Sequence, residues 1–246
     1  MQKLIGLVRR CVEDYDMISP GDRIAVGVSG GKDSLALLVF LAELCKYNHK
    51  PFEVEAITID MGLGMDYSGI EALCKELDVP FTLVRTQIGP LIFDHRKEKN
   101  PCSMCAKMRR GALNEALLER GMNKLALGHH YDDAVETFLM SLLFEGRISC
   151  FQPVTNLDRT GIIQIRPMLY IHEKTVDNFA IREDLPIVEN RCPVDKTTKR
   201  EEVKTLIYEL SQRYPDLKER IFGAMQRYPL EEWAPQGRYK RPKEQE

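Results

Sequence analysis

The sequence predicts an α/β fold, a mainly parallel sheet with flanking helices and a helical C-terminal extension, and three observations carry this. Strand-like and helix-like stretches alternate along residues 24–144 at the spacing of βαβ units, which implies parallel pairing through right-handed crossovers. The run Ile24-Ala25-Val26-Gly27-Val28-Ser29-Gly30-Gly31-Lys32-Asp33-Ser34-Leu35-Ala36-Leu37-Leu38 joins an apolar strand to an apolar helix through a glycine-rich turn. The 246 residues, 43% of them hydrophobic, suffice for one large domain with a full core.

In chain order, residues 2–16 form a loose amphipathic helix through Leu4, Ile5, Leu7, Val8 and Val12, and Ser19-Pro20-Gly21-Asp22 turns the chain into the first strand. A second strand over 54–60 ends in Met61-Gly62-Leu63-Gly64, a helix spans 68–77, and a third strand spans 81–85. A charged segment, 94–100, expected to be mobile, precedes a basic helix that opens at Pro101-Cys102-Ser103-Met104-Cys105 and ends near Gly121. Residues 124–127 are a fourth strand, and Gly128-His129-His130-Tyr131-Asp132-Asp133 leads into a helix over 134–144. Beyond it 146–160 reads as loop, 162–166 as strand, 172–184 as helix and 186–191 as a further strand; 197–213 and 216–227 read as helices, with a frayed tail. The expected division is a lead-in over 1–20, the nucleotide domain over 21–193 and a helical extension over 194–246.

The glycine-rich turn is suited to phosphate. Glycine lets backbone approach an anion without a Cβ, and the following helix points free N–H groups and a positive dipole end at it. Lys32 adds a charge and Asp33 a place for magnesium. The spacing is neither Gly-x-Gly-x-x-Gly nor the Walker pattern. In a parallel sheet ligands bind beyond the carboxyl ends of strands, where both 29–34 and 60–64 fall.

The longest apolar run, 35–44, is too short for a membrane span and contains Glu43, and residues 1–10 lack the apolar core of a secretory leader, so a cytoplasmic protein is expected. Seven cysteines in such a chain argue against a disulfide scaffold. Cys11, Cys45 and Cys74 fall in helical patterns and suit core or plain surface roles. Cys102 and Cys105 share the first turn of a helix, whose dipole favours thiolates. Cys192, at the end of an expected strand, can reach the same face of the sheet. Three such thiols admit zinc with a fourth ligand such as Cys150, His129 or His130, an iron-sulfur cluster with an open iron, or a redox pair at Cys102 and Cys105.

Ser29-Gly30-Gly31-Lys32-Asp33-Ser34 resembles the PP-loop of the ATP pyrophosphatases. With Cys102-Ser103-x-Cys105, Arg109-Arg110-Gly111, Gly128-His129-His130-x-Asp132-Asp133-x-x-Glu136-Thr137, Ile165-Arg166-Pro167 and the late Cys192, the chain resembles the tRNA 2-thiocytidine synthetases over about residues 14–214. Related thiouridine synthetases carry extra Cys-x-x-Cys zinc ribbons that this sequence lacks.

The resemblance implies a Rossmann-like PP-loop fold and ATP-dependent thiolation of a tRNA cytidine. The C2 oxygen is adenylated and then replaced by sulfur from a 4Fe-4S cluster on Cys102, Cys105 and Cys192. A cysteine desulfurase is the implied sulfur source, and a homodimer is compatible with the sequence. Ser29, Gly30, Gly31, Lys32 and Ser34 are expected at the pyrophosphate and Asp33 at Mg2+. Asp60, Met61 and Gly128 are expected around the adenosine, and Arg109, Asp132 and Asp133 at the reacting groups; one of these aspartates can equally be a helix cap. The net charge of −2 gives no global attraction to RNA, so the local patches Arg96, Lys97, Lys99, Lys107, Arg110 and Arg191, Lys196, Lys199, Arg200 are the candidates for phosphate contact, with Arg147 a weaker one. The competing readings are another PP-loop tRNA enzyme, a thiouridine synthetase or lysidine-type ligase, and a non-catalytic nucleotide- or RNA-binding protein.

Overall fold

The computed structural model describes residues 1–47, 49–96, 101–189, 191 and 199–227, the side chains of 94–96 excepted. Helix α1 (Gln2–Asp14) buries Leu4, Ile5, Val8, Cys11 and Val12, a stripe at three- and four-residue spacing that faces the core. Strand β1 (Arg23–Gly27) follows, then α2 (Lys32–Tyr47), which is buried continuously from Ser34 to Ala42. Next come β2 (Glu53–Asp60), α3 (Ser68–Leu77) and β3 (Phe81–Arg85). A single turn, α4 (Ile88–Pro90), continues as a π-helical turn over Leu91–Arg96. The remaining elements are α5 (Pro101–Glu119), β4 (Lys124–Ala126), α6 (Tyr131–Glu145), β5 (Val154–Leu157), β6 (Ile162–Ile165), α7 (Glu173–Arg182), α8 (Lys199–Arg213) and α9 (Leu217–Arg227).

The strand order is β3-β2-β1-β4-β6-β5, parallel throughout except for β5. The chain moves outward from β1 through β2 to β3 and then returns to the other side of β1 with β4. The order therefore reverses between β1 and β4, and a crevice opens beyond their carboxyl ends. The glycine-rich loop leaves β1 there, and Gly128 leaves β4 beside it.

Both sheet faces are covered. Ile24, Val26, Ala56, Ala126 and Ile165 pack with residues of α1, α2, α6 and α7, whereas Ala25, Ile57, Ile59, Leu125 and Ile162 pack with Ile88, Ile92, Leu117 and Met122. Successive strand residues bury on opposite faces, so β1 and β2 read as nearly unbroken apolar runs rather than alternating ones. Val203, Ile207, Phe222 and Met225 of α8 and α9 join the first of these cores. No helix of the described residues is long and apolar enough to cross a membrane.

Two expectations need correction. The supposed loop 146–160 contains β5, which turns through 158–161 and pairs antiparallel with β6 at the sheet edge; four residues of mixed polarity carry too little period-two pattern to stand out. The expected strand over 186–191 does not join the sheet. Its described residues form an irregular strap, and the Val188 N–H donates to the Gly30 carbonyl at 2.9 Å. Of the charged segment 94–100, residues 97–100 lie outside the described residues.

Candidate active site

The loop after β1 is braced from within. Ser34, buried at the start of α2, accepts a hydrogen bond from the Ser29 N–H at 3.1 Å and donates one to the Gly31 carbonyl at 2.8 Å. The Ser29 hydroxyl lies 3.2 Å from the Ser34 hydroxyl and 3.4 Å from the Gly31 nitrogen, from which it accepts. Gly30 holds φ +87°, and a Cβ there would meet the Val188 Cβ at 2.8 Å, so both conformation and space require glycine. The Ser34 hydroxyl and the Ser29 and Gly31 N–H groups are thus spent on shaping the loop, and the N-terminus of α2 beside it is the kind of feature that suits an anion.

A cavity of about 390 Å³ opens against this loop, within the range of small-molecule sites. Gly27, Val28, Ser29 and Gly31 form one wall, Ile57, Ile59 and Met61 the floor from β2, and Cys105, Arg109 and Leu113 of α5 the opposite wall. Two sequence motifs separated by some 75 residues thus meet across one space, because α5 crosses the carboxyl edge of the sheet. Asp60 stands at its rim by shaping the backbone: its Oδ1 accepts from the Gly62 N–H at 2.9 Å, and its carbonyl accepts from the Thr86 N–H at 3.0 Å.

Lys32 turns away from the cavity. Its ammonium lies 2.7 Å from Asp177, 3.3 Å from Glu173 and 3.2 Å from Asp33. Burial opposes its charge, but the Asp177 bond and the charges of Asp33 and Glu173 outweigh that and hold its pKa above the ordinary lysine value. Glu173 is shared in turn with Lys204, which reaches toward Glu136.

Asp132 and Asp133 are brought near the loop's outer side, and neither lines the cavity. Asp132 is buried; it accepts from the Glu173 N–H at 2.7 Å, capping α7, and pairs with Lys218 of α9 at 2.5 Å. Burial raises its pKa, and the Lys218 bond and the Glu173 amide more than reverse this, so it stays below the usual carboxylate value. Asp133 closes a capping box with His130 on α6 and accepts from Arg200 at 2.7 Å. His130 Nδ1 accepts from the Asp133 N–H at 3.3 Å, and its Nε2 lies 3.4 Å from Asp133 and 3.9 Å from Asp33. His129 packs against Phe151 with the rings tilted and their centroids 4.8 Å apart; burial first, then Arg166, lowers its pKa to about 4, so it is a neutral ring. Gly128 permits a close approach, and the partner is backbone: a Cβ there would lie 3.0 Å from the Asp33 carbonyl carbon and oxygen.

Cys102 is exposed and Cys105 half-buried on the first turn of α5, and Cys105 faces the cavity. Cys192 lies outside the described residues, and among the described residues no group of three or more His, Cys, Asp or Glu side chains is arranged around a metal. The Cys105 thiol at the cavity wall and the exposed Cys102 thiol one turn before it are soft donors of the kind an iron-sulfur cluster takes. Cys150 is a different kind of thiol. It donates to the Ala134 carbonyl, and burial pushes it up to about 12, which makes it a poor metal ligand.

Of the basic residues, Lys107 and Arg110 are exposed on α5. Arg200 is occupied by Asp133 and Glu136, Arg191 by the Gly64 carbonyl and Arg147 by Glu145. Lys97, Lys99 and Lys196 lie outside the described residues.

Sequence reasoning missed the cavity wall made by Leu63, Met65 and Tyr67, and also Phe93 and Val188. A signal for the first three exists: Met61, Leu63, Met65 and Tyr67 recur at every second position, and all four line the cavity. Of these four, the sequence reading takes Met61 alone for the nucleotide site.

Residues 6–210 match the family model described as the PP-loop domain. The chain is 37% identical over 229 residues to the tRNA-cytidine(32) 2-sulfurtransferase of Pelobacter propionicus, covering 91% of this chain and 85% of that protein. It is 32% identical over 231 residues to the protein of the same name from Coxiella burnetii, covering 91% and 89%. Among solved structures it resembles the U34-tRNA thiolase NcsA from Methanococcus maripaludis with its 4Fe-4S cluster, with a TM-score of 0.72 and 26% identity, covering 91% of this chain and 77% of that one. A PP-loop that closes one wall of the cavity, and relatives matched along nearly their whole length, place this chain in the PP-loop domain family and, within it, in the family of the tRNA-cytidine(32) 2-sulfurtransferases.

Proposed function

We propose that this protein is an ATP-dependent tRNA sulfurtransferase that replaces the C2 oxygen of an anticodon-loop cytidine with sulfur. The observation that carries the reading is the single cavity with the PP-loop backbone on one wall and Cys105 and Arg109 on the other. Carbonyl oxygen is a poor leaving group, so it must first be activated, and an adenylate is what a phosphate-gripping loop can prepare.

In this reading the Gly30 N–H and the first-turn N–H groups of α2 hold the pyrophosphate end of ATP, in a loop whose Ser29 and Gly31 N–H groups brace it from within. Asp33, about one-third exposed at that helix start, is the residue to hold Mg2+. The apolar floor of Ile57, Ile59 and Met61 takes the adenosine and keeps water from the adenylate. Arg109, exposed at the rim and one helical turn from Cys105, offsets charge on the transferring phosphate. Asp132 and Asp133 act from behind the loop, by fixing α7 and α6. Cys102, Cys105 and Cys192 would hold a 4Fe-4S cluster, which supplies a place for inorganic sulfide beside the activated base. A cysteine desulfurase is the proposed source of that sulfur, its persulfide being reduced to sulfide by two thiols that leave as a disulfide, and Lys107 and Arg110 are the cations placed to meet tRNA phosphate.

The test is nucleoside mass spectrometry of tRNA from cells with and without this protein. Loss of 2-thiocytidine is expected, with recovery on expression of the wild-type chain but not of Arg109→Ala. Loss of a thiouridine instead would move the target to another base, and an unchanged nucleoside profile would overturn the proposal.

A further inference from the structure

Two of the side chains that line the nucleotide cavity are aromatic, Tyr67 and Phe93. Tyr67 is buried, and its hydroxyl donates to the Met65 sulfur at 3.6 Å. Phe93 is half-buried in the π-helical turn after α4, a form found mostly as single turns and often at functional sites. Its neighbour Ile92 is fully buried in the core of that sheet face, so consecutive side chains divide between core and cavity.

The segment that carries Phe93 is tied to the cavity floor. The Gly89 N–H donates to the Met61 carbonyl at 2.8 Å. A Cβ on Gly89 would lie 2.8 Å from that same oxygen and 2.6 Å from the Leu63 side chain, so the approach requires glycine. The π-helical turn also packs against α5, the helix that brings Cys105 and Arg109 to the cavity.

We propose that Phe93 is the platform on which the target cytosine stacks once it has left the stack of the anticodon loop. This rests on the proposed tRNA sulfurtransferase function. A base that undergoes chemistry must turn out of the RNA to reach the reacting groups, and proteins hold unstacked bases on aromatic side chains. The oxygen to be adenylated is the base's own, so the pyrimidine ring lies one oxygen from the phosphorus and shares this cavity with the nucleotide. Sulfur must reach the same carbon from the side of Cys105. Phe93 meets both requirements, because it lines the cavity and its turn packs on α5. Stacking on a ring face tolerates any base, so Phe93 fixes the plane of the cytosine without choosing it.

The test uses the full chain, purified without oxygen and reconstituted with iron and sulfide, and an anticodon stem-loop RNA. With 5-iodocytidine in place of the anticodon-loop cytidine, irradiation in the near ultraviolet is expected to crosslink the base to Phe93, read by mass spectrometry. A crosslink to Tyr67 instead, or to no residue of the cavity, would overturn the proposal. With the unmodified stem-loop, Phe93→Ala should lower kcat/KM for thiolation about tenfold or more, the size of a lost base–aromatic stack, while ATP affinity by calorimetry stays within about twofold of wild type. Phe93→Tyr should restore the rate and Phe93→Leu should not, which separates stacking from the filling of space. Wild-type kinetics in Phe93→Leu would overturn the proposal, and so would a matching loss of ATP affinity in Phe93→Ala, which would assign the ring to adenine. Thiolation of the RNA by wild type without the Phe93 crosslink removes the platform and leaves the function. A Phe93 crosslink in a wild-type protein that thiolates no cytidine removes the function and leaves the platform.

Discussion

Gly128→Ala probes how the end of β4 supports the PP-loop. The added methyl would sit 3.0 Å from the carbonyl carbon and oxygen of Asp33 and 3.1 Å from the Ser34 nitrogen. Optimal carbon contacts lie at about 3.5–4.0 Å, so the first turn of α2 must retreat by a few tenths of an ångström. All three atoms are backbone, on a helix buried from Ser34 to Ala42, so no rotamer change relieves the clash. Overpacking of this kind costs about 1–3 kcal/mol, and at this chain length each kcal/mol shifts Tm by about 2–4 °C. The expected fall is therefore on the order of 2–12 °C. The same shift displaces the N–H groups aimed at phosphate, so ATP affinity should fall about tenfold, a loss of about 1.4 kcal/mol. Scanning calorimetry with and without ATP reads both effects, since the ligand-induced rise in Tm shrinks with affinity. Gly6→Ala is the control, because a Cβ on Gly6 of α1 meets nothing within 4 Å. A Gly128→Ala protein with wild-type Tm and a wild-type ATP response would refute this account of the loop.

Asp132→Asn should lose about 1–3 kcal/mol at neutral pH, because Lys218 forfeits a charged partner. The folded-state pKa of Asp132 lies below the ordinary 3.8, so its contribution is complete above that value and is lost as pH falls through the folded pKa. Urea midpoints across the acid range should show a shallower acid limb in the variant, and identical limbs would count against the pairing. Glu136 shows the opposite sign: burial, exceeding the opposing charges of Lys204 and Arg200, pushes it from 4.5 up to about 7. Its folded state keeps a proton that the unfolded chain releases over that interval, so stability falls as pH rises from 4.5 to about 7. Glu136→Gln should flatten that slope, and superimposable wild-type and variant profiles would reject the assignment. Ser34→Ala leaves the Ser29 N–H without its acceptor and should cost about 1–2 kcal/mol in urea titrations while weakening ATP binding; unchanged values for both would show that the loop does not depend on this brace.

Much of the fold was legible because its signals are local. The apolar runs of β1, β2 and β3 and the long buried helix α2 announce a parallel sheet through period and composition alone. The same holds for Gly30: a turn between a buried strand and a buried helix calls for a residue free to take positive φ, and glycine occupies the place. Elements at the sheet edge were harder. The strand β5 spans four residues of mixed polarity, and the 186–191 strap has the β-like composition of a strand without a strand's partners, so only pairing could separate the two.

The candidate site divides along the same line. Residue order alone determined that a glycine-rich loop of PP-loop pattern starts α2 and that two thiols share the first turn of α5, since both are properties of a few consecutive residues. Only tertiary structure decided that Cys105 and Arg109 face that loop across one cavity, that Lys32 turns outward to Asp177 and Glu173, and that Asp132 and Asp133 are held by Lys218 and Arg200 from α9 and α8. These facts depend on which strands are neighbours and on how far a side chain reaches from one element to another. Sequence spacing carries no record of either until burial of the two sheet faces brings the elements together.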